Sequence, residues 1–192
     1  MNIFVLCGAH DGSLVKRVDE IADTGLYGEG IKWDKIYLFE PQPAHRSSLE
    51  ALCRKDSRCY LIPSAVSTVD GTATFFVKGE LGNCSSTLDP YKHTGRLKEK
   101  VEVSTVDFVK WVKDNTNEQD FVVVDMDIEC GEYEVLPKLL QSTTTARIKF
   151  ISIEFHQNKS TYWAADGQDK KIEEQVKEVL GNRFLGHNKY YG

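Results

Sequence analysis

An apolar run from Ile3 to Cys7 ends in a glycine-bearing turn, Gly8-Ala9-His10-Asp11-Gly12, and a helical pattern follows at once with Leu14, Val18, Ile21 and Ala22 on one face. A second apolar run, Ile36 to Phe39, stops at Glu40-Pro41. Strand, turn, helix, strand is a severe constraint, because parallel strands need a crossover and a helix is the usual one. The alternation continues with a helix over 43–55, a strand over 59–65, and a short strand from Thr72 to Val77 after the Val69-Asp70-Gly71 turn. A helix over 105–114, strands over 120–126 and 148–154, a helix over 169–181 and one or two closing strands between Arg183 and Tyr191 complete it. The pattern predicts an α/β fold of Rossmann-like type, a mostly parallel central sheet with helices on both faces. Phe121-Val122-Val123-Val124 is apolar at every position, as a doubly covered strand requires, and is expected beside the first strand. Pro137 interrupts the Tyr133, Leu136, Leu139, Leu140 pattern, so a kink or a late helix start is expected there. Gly79 to Arg96 has no periodicity and reads as a long loop of the kind that covers sites.

The turn and Glu40 together point to a nucleoside cofactor. A strand-end carboxylate accepts hydrogen bonds from the vicinal hydroxyls of a ribose, and glycines let a ligand approach the backbone closely. The spacing Gly8-x-x-x-Gly12 is not the dinucleotide fingerprint, and no other phosphate cradle is visible, so NAD is disfavoured. S-adenosylmethionine, which has a ribose but no pyrophosphate, fits. The plain alternative is a tight turn followed by a solvated acid.

At 192 residues the chain is the length of one domain, here 1–192. Its net charge of −5 and scattered basic residues disfavour a nucleic-acid partner. Five cysteines without paired spacing argue against a disulfide framework or a zinc site and suit a reducing cytoplasm. No apolar segment is long enough to span a bilayer. The first strand begins so close to Met1 that a domain excised from a larger protein is expected.

The chemistry concentrates at the end of strand 120–126, where Asp125, Asp127, Glu129 and Glu132 fall within eight residues. Strand alternation puts Asp125 and Asp127 on one face, and strand 148–154 ends in Glu154-Phe155-His156. If the two strands are neighbours, Asp127, Glu154 and His156 share a rim. Asp127 and Glu154 are the expected ligands of Mg²⁺ or Mn²⁺, with His156 or water completing the shell. His156 is the preferred general base for an acceptor hydroxyl, with Glu129 the alternative. These acids have an ordinary reading too, as helix caps or ion-pair partners.

Taken in order, the motifs resemble the FkbM-type family of S-adenosylmethionine-dependent methyltransferases. The family's D-x-G-A-N-x-G is similar to Leu6 to Gly12, its F-E-P-x-P to Phe39-Glu40-Pro41-Gln42-Pro43, and its strand-end Ala with a following Gly turn to Ser64-Ala65-Val66 and Asp70-Gly71. Its serine pair resembles Ser85-Ser86, its T-x-D Thr105 to Asp107, its K-x-D-x-E-G-x-E Asp125 to Glu132, and its strand-end acid Glu154. The resemblance implies that Gly8, Ala9, His10, Asp11, Gly12, Glu40, Pro41, Ser64, Ala65, Ser85, Ser86 and Asp125 face the cofactor. It also implies catalytic roles for Asp127, Glu129 and His156. Leu6 replaces the family's first acid, whose task falls to Asp11 or Asp127; His10 replaces Asn and Asp125 replaces Lys. The resemblance further implies O-methylation of a sugar or glycan hydroxyl, with fused or associated glycosyltransferase domains as partners. Chlorovirus rhamnose-modifying proteins, acting in a host's cytoplasm, are the model for that arrangement. The rivals are a metal-independent small-molecule or protein methyltransferase and a catalytically silent nucleoside-binding module.

Overall fold

The structure, a computed structural model, describes residues 1–78, 87–90 and 97–186. In chain order the main elements are β1 (Asn2–Cys7), α1 (Val18–Asp23), β2 (Lys35–Phe39), α2 (Pro43–Lys55), β3 (Cys59–Ile62), β4 (Ala65–Ser67), β5 (Gly71–Lys78) and β6 (Leu97–Asp107). They continue with α3 (Phe108–Asn115), β7 (Phe121–Met126), α4 (Glu132–Gln141), β8 (Ile148–Ile153), α5 (Thr161–Ala164), α6 (Gln168–Leu180) and β9 (Phe184–Gly186).

Six strands form a wholly parallel sheet in the order β3-β2-β1-β7-β8-β9. β1 lies between β2 and β7, so the chain leaves it in one direction and returns on the other side. That topological switch opens a crevice at the carboxyl ends of β1 and β7, where open α/β sheets bind ligands. Strand alternation feeds two cores. Val5, Cys7, Val124 and Met126 meet α3, α4 and α6 on one face, while Phe4, Leu6 and Val123 meet α1 and α2 on the other. No helix among the described residues is long and apolar enough to cross a membrane.

Three expectations are corrected. The strand expected over 59–65 is two strands in different sheets, broken where Pro63 lacks a donor: β3 pairs with β2, whereas β4 pairs with β6. The helix expected from Thr105 starts at Phe108, because Thr105–Asp107 finish the long strand β6, and the Asp107 carboxylate accepts from the Lys110 N–H at 3.2 Å to cap α3. β6, which pairs antiparallel with β5, is not among the elements expected from sequence, because its alternation emerges from a segment without periodicity. Of the kink or late start expected at Pro137, the late start does not occur, for α4 already begins at Glu132 and carries Pro137 inside it. Tyr133, Val135, Leu136 and Leu139 are all buried in the core, and that burial outweighs one missing hydrogen bond. β9 meets the expectation of a closing strand, and anything beyond residue 186 lies outside the described residues.

Candidate functional site

The turn after β1 is built around a close approach. Gly8 has φ +89°, and a Cβ there would sit 1.9 Å from the Asp127 carbonyl oxygen, so only glycine lets the ends of β1 and β7 meet. The Gly8 and Ala9 N–H groups both donate to the Phe39 carbonyl, and the Asp127 N–H donates to Cys7. His10 sits at φ +49°, a left-handed conformation that His tolerates better than most residues, and its N–H donates to the Glu40 carboxylate at 2.8 Å. The other Glu40 oxygen accepts the Gln42 N–H at 2.9 Å. Glu40 is 6% exposed, and burial pushes its carboxyl above the usual glutamate range against the pull of those two donors.

These groups open into one pocket of about 600 Å³, its mouth included. Gly8, His10, Glu40 and Pro41 line it from β1 and β2, Ser64 and Ala65 from the start of β4, and Asp127 and Glu129 from the end of β7. The strand-end residues predicted for a cofactor are therefore brought together. Ala9, Asp11, Gly12, Asp125, Glu154 and His156 do not line the pocket; His156 lies behind Asp127 and Glu129, which do. Ala9 is buried in the α1/α2 core, and Gly12 at φ +79° packs against Leu49 and Leu52 of α2. The exposed Asp11 accepts the Ser13 N–H at 2.9 Å, which holds its carboxyl below the usual range. Asp125 is 1% exposed within β7, level with Leu6 and Ser152 on the neighbouring strands, and Asp127 lies beyond the end of the strand. The expected shared face is thus not used. Ser85 and Ser86 lie outside the described residues.

Past Asp127 the backbone is strained. Glu129 (φ +55°) and Cys130 (φ +82°) are consecutive left-handed residues with side chains, at roughly 1–3 kcal/mol each. The buried Thr87 hydroxyl donates to the Glu129 carbonyl and Gly131 donates back to Ile128, pinning this bend. The bend keeps Glu129 at the pocket.

β7 and β8 are neighbours, as expected, and their ends converge on His156. His156 Nε2 lies 3.2 Å from a Glu129 oxygen, 3.6 Å from Asp127 and 3.7 Å from Glu154. Asp127, Glu129 and His156 offer donor atoms within 4.8 Å of one another, a spacing that can hold a metal ion. Glu154 approaches the imidazole but is not part of that closer group. His156 is 8% exposed, and its Nδ1 and backbone N–H both meet one oxygen of Glu132.

Sequence reasoning missed the apolar lining. Phe75 from β5 and Leu88 from the short described segment 87–90 also line the pocket. Phe75 was legible only as an apolar position in a short strand; what aims it inward is the pairing of β5 with β6.

The family model of the methyltransferase FkbM domain matches residues 7–184. No curated protein matches the chain. Among solved structures, the methyltransferase FkbM from Methylobacillus flagellatus KT superimposes with a TM-score of 0.52 at 14% sequence identity, a likeness of fold. It covers 95% of this chain and 37% of that one. A switch-point pocket with a buried strand-end glutamate, matched along nearly its whole length by one family model, makes this chain a member of the FkbM family of S-adenosylmethionine-dependent methyltransferases.

Proposed function

We propose that the chain methylates a hydroxyl of a sugar or other polyhydroxylated acceptor, with S-adenosylmethionine held at the β1–β7 crevice. Glu40 carries the reading. Each of its oxygens holds one backbone N–H, and a carboxylate has about four acceptor positions, which leaves two for the vicinal hydroxyls of a ribose. The pocket's two ends suit the rest of the cofactor: Ser64, Ala65 and Phe75 offer an apolar wall for a purine, and Gly8 and His10 a backbone floor for the methionine portion. The cofactor, when bound, supplies a methyl group made electrophilic by its sulfonium. The chain's own part is to align the acceptor oxygen and to remove its proton. His156 Nε2 is the base, since Nδ1 is engaged by Glu132 and Nε2 is the nitrogen turned toward Asp127 and Glu129, which line the pocket.

A second reading rests on the Nε2 distances. Ligands about 2.1 Å from a hard cation stand about 3 Å apart when adjacent, and the 3.2 and 3.6 Å separations of Glu129 and Asp127 from Nε2 are near that spacing. Here Mg²⁺ or Mn²⁺ would be held by Asp127, Glu129 and His156, with Glu154 at the mouth, in place of the Asp127–Glu154 pair expected from sequence. Glycosyltransferase modules, fused or associated in the cytoplasm, are the partners a glycan acceptor implies.

The test is incubation with methyl-labelled cofactor and a panel of glycosides, rhamnosides included. Label recovered as a sugar O-methyl ether is expected; label only on amines or thiols overturns the acceptor class. His156→Ala should lower turnover ~10²- to 10⁴-fold with cofactor affinity nearly unchanged, and a loss below tenfold moves the base to Glu129. Loss of turnover after exhaustive EDTA treatment, restored by Mn²⁺, selects the cation reading; full activity in EDTA removes it.

A further inference from the structure

His156 does the decisive work through Nε2 in either reading, so the group that fixes which nitrogen faces the rim matters as much as the ring itself. Imidazole has two nitrogens, and the neutral ring carries its proton on one of them. We propose that Glu132, the first residue of α4, is the positioning residue that holds the His156 ring with Nδ1 donating to α4 and Nε2 turned toward Asp127, Glu129 and Glu154. The inference rests on the function proposed above, but its physical content is independent of turnover.

Three observations carry it. Glu132 is wholly buried, a place where a carboxylate is seldom found without a specific partner. One of its oxygens, Oε1, accepts the His156 backbone N–H and lies against the ring Nδ1, each at 3.0 Å. The backbone N–H is always a donor, so an acceptor must stand at that spot, and the same acceptor forces Nδ1 to carry the ring proton. Oε2 has no hydrogen-bond partner among the described residues, so the buried carboxylate does little else there by hydrogen bonding. Its seat at the first turn of a ten-residue helix adds the favourable end of the helix dipole. The catalytic contact remains that of His156; Glu132 reaches the rim only through it.

The double contact on one oxygen makes a sharp distinction between variants. In Glu132→Gln the side-chain oxygen, not the amide nitrogen, must stay opposite the backbone N–H, so Nδ1–H and the ring orientation are retained. In Glu132→Met the shape is kept and the acceptor is lost. Long-range proton–nitrogen NMR on ¹⁵N-labelled protein, at a pH where the ring is neutral, reads the tautomer directly, with and without S-adenosylhomocysteine. Wild type and Glu132→Gln are expected to show Nδ1–H with Nε2 bare, and Glu132→Met a mixture of the two tautomers. With the glycoside found active in the panel above, Glu132→Gln should keep turnover within tenfold of wild type. Glu132→Met should lose roughly 10- to 100-fold in kcat, with KM and cofactor affinity unchanged, as is usual for a partner behind a functional histidine. An Nε2–H tautomer in wild type overturns the proposal without any variant being folded or active. So does a Glu132→Gln loss equal to that of Glu132→Met, which would assign the effect to charge rather than orientation. If no glycoside is methylated, the proposed acceptor fails while the NMR result still decides the role of Glu132.

Discussion

At the scale of single residues, two positions govern whether the pocket exists and whether it holds a ligand. Gly8 cannot gain a side chain without pushing β1 and β7 apart, since its Cβ would lie 1.9 Å from a backbone oxygen at a positive φ. Gly8→Ala should therefore cost on the order of 3 kcal/mol from strain and overpacking, or roughly 6–12 °C in melting temperature. It should also abolish S-adenosylhomocysteine binding by calorimetry; a wild-type melt would refute the close approach. If it holds the ribose as proposed, Glu40 ties affinity to pH. Its carboxyl titrates above the usual glutamate range in the folded chain, so cofactor affinity should fall on acidification at a higher pH than an ordinary glutamate would give. The linkage sign for the ligand-free fold is opposite. Because the folded value is raised, the stability tied to Glu40 is fully present below the unfolded value and is lost as pH rises through the folded one. Glu40→Ala should weaken the cofactor by about 1.5–3 kcal/mol, roughly ten- to hundredfold. Calorimetry and melts across pH check both signs, and pH-independent affinity in wild type would remove Glu40 from the ribose.

Among the elements, α4 shows packing overriding propensity. It begins with buried Glu132, carries Pro137 six residues in, and still presents Tyr133, Leu136 and Leu139 to the main core. Pro137 has no N–H to give the Tyr133 carbonyl, so Pro137→Ala should restore one bond and raise stability by about 1–3 kcal/mol, or roughly 2–12 °C. A thermal melt decides it, and a lowered melting point would show that the proline shapes the bend that aims Glu129 and Glu132. β5 and β6 belong to the same lesson. They form a separate three-stranded sheet with β4 and bring Phe75 over the crevice, so the pocket has an apolar wall that the central sheet does not supply.

Over the whole molecule, both cores share one sheet, and the pocket spans the ends of β1, β2 and β7. A ligand there should stabilise the entire chain in one transition. S-adenosylhomocysteine at about 100 times its dissociation constant should add about 2.7 kcal/mol and raise the melt by roughly 5–11 °C; a transition left unmoved would mean the pocket is not the cofactor site. The parallel α/β order, the glycine turn, the strand-end Glu40 and the convergence of Asp127 and His156 were all legible in sequence. Each is a local signal: apolar period, turn chemistry, and the rule that strand ends of a parallel sheet share a rim. Asp11 and Asp125 show where that legibility ended. Both belong to motifs that face a cofactor by resemblance, yet Asp11 holds the Ser13 N–H at the surface and Asp125 is buried inside β7, because the end of a strand rather than a residue's type decides where its side chain is delivered. Sequence alone determined the strand order's logic and the chemical inventory of the rim. Tertiary structure alone decided that Phe75 walls the pocket, that a left-handed bend pinned by Thr87 delivers Glu129 to it, and that buried Glu132 meets His156. Those three depend on contacts between residues far apart in the chain, and no local period encodes them.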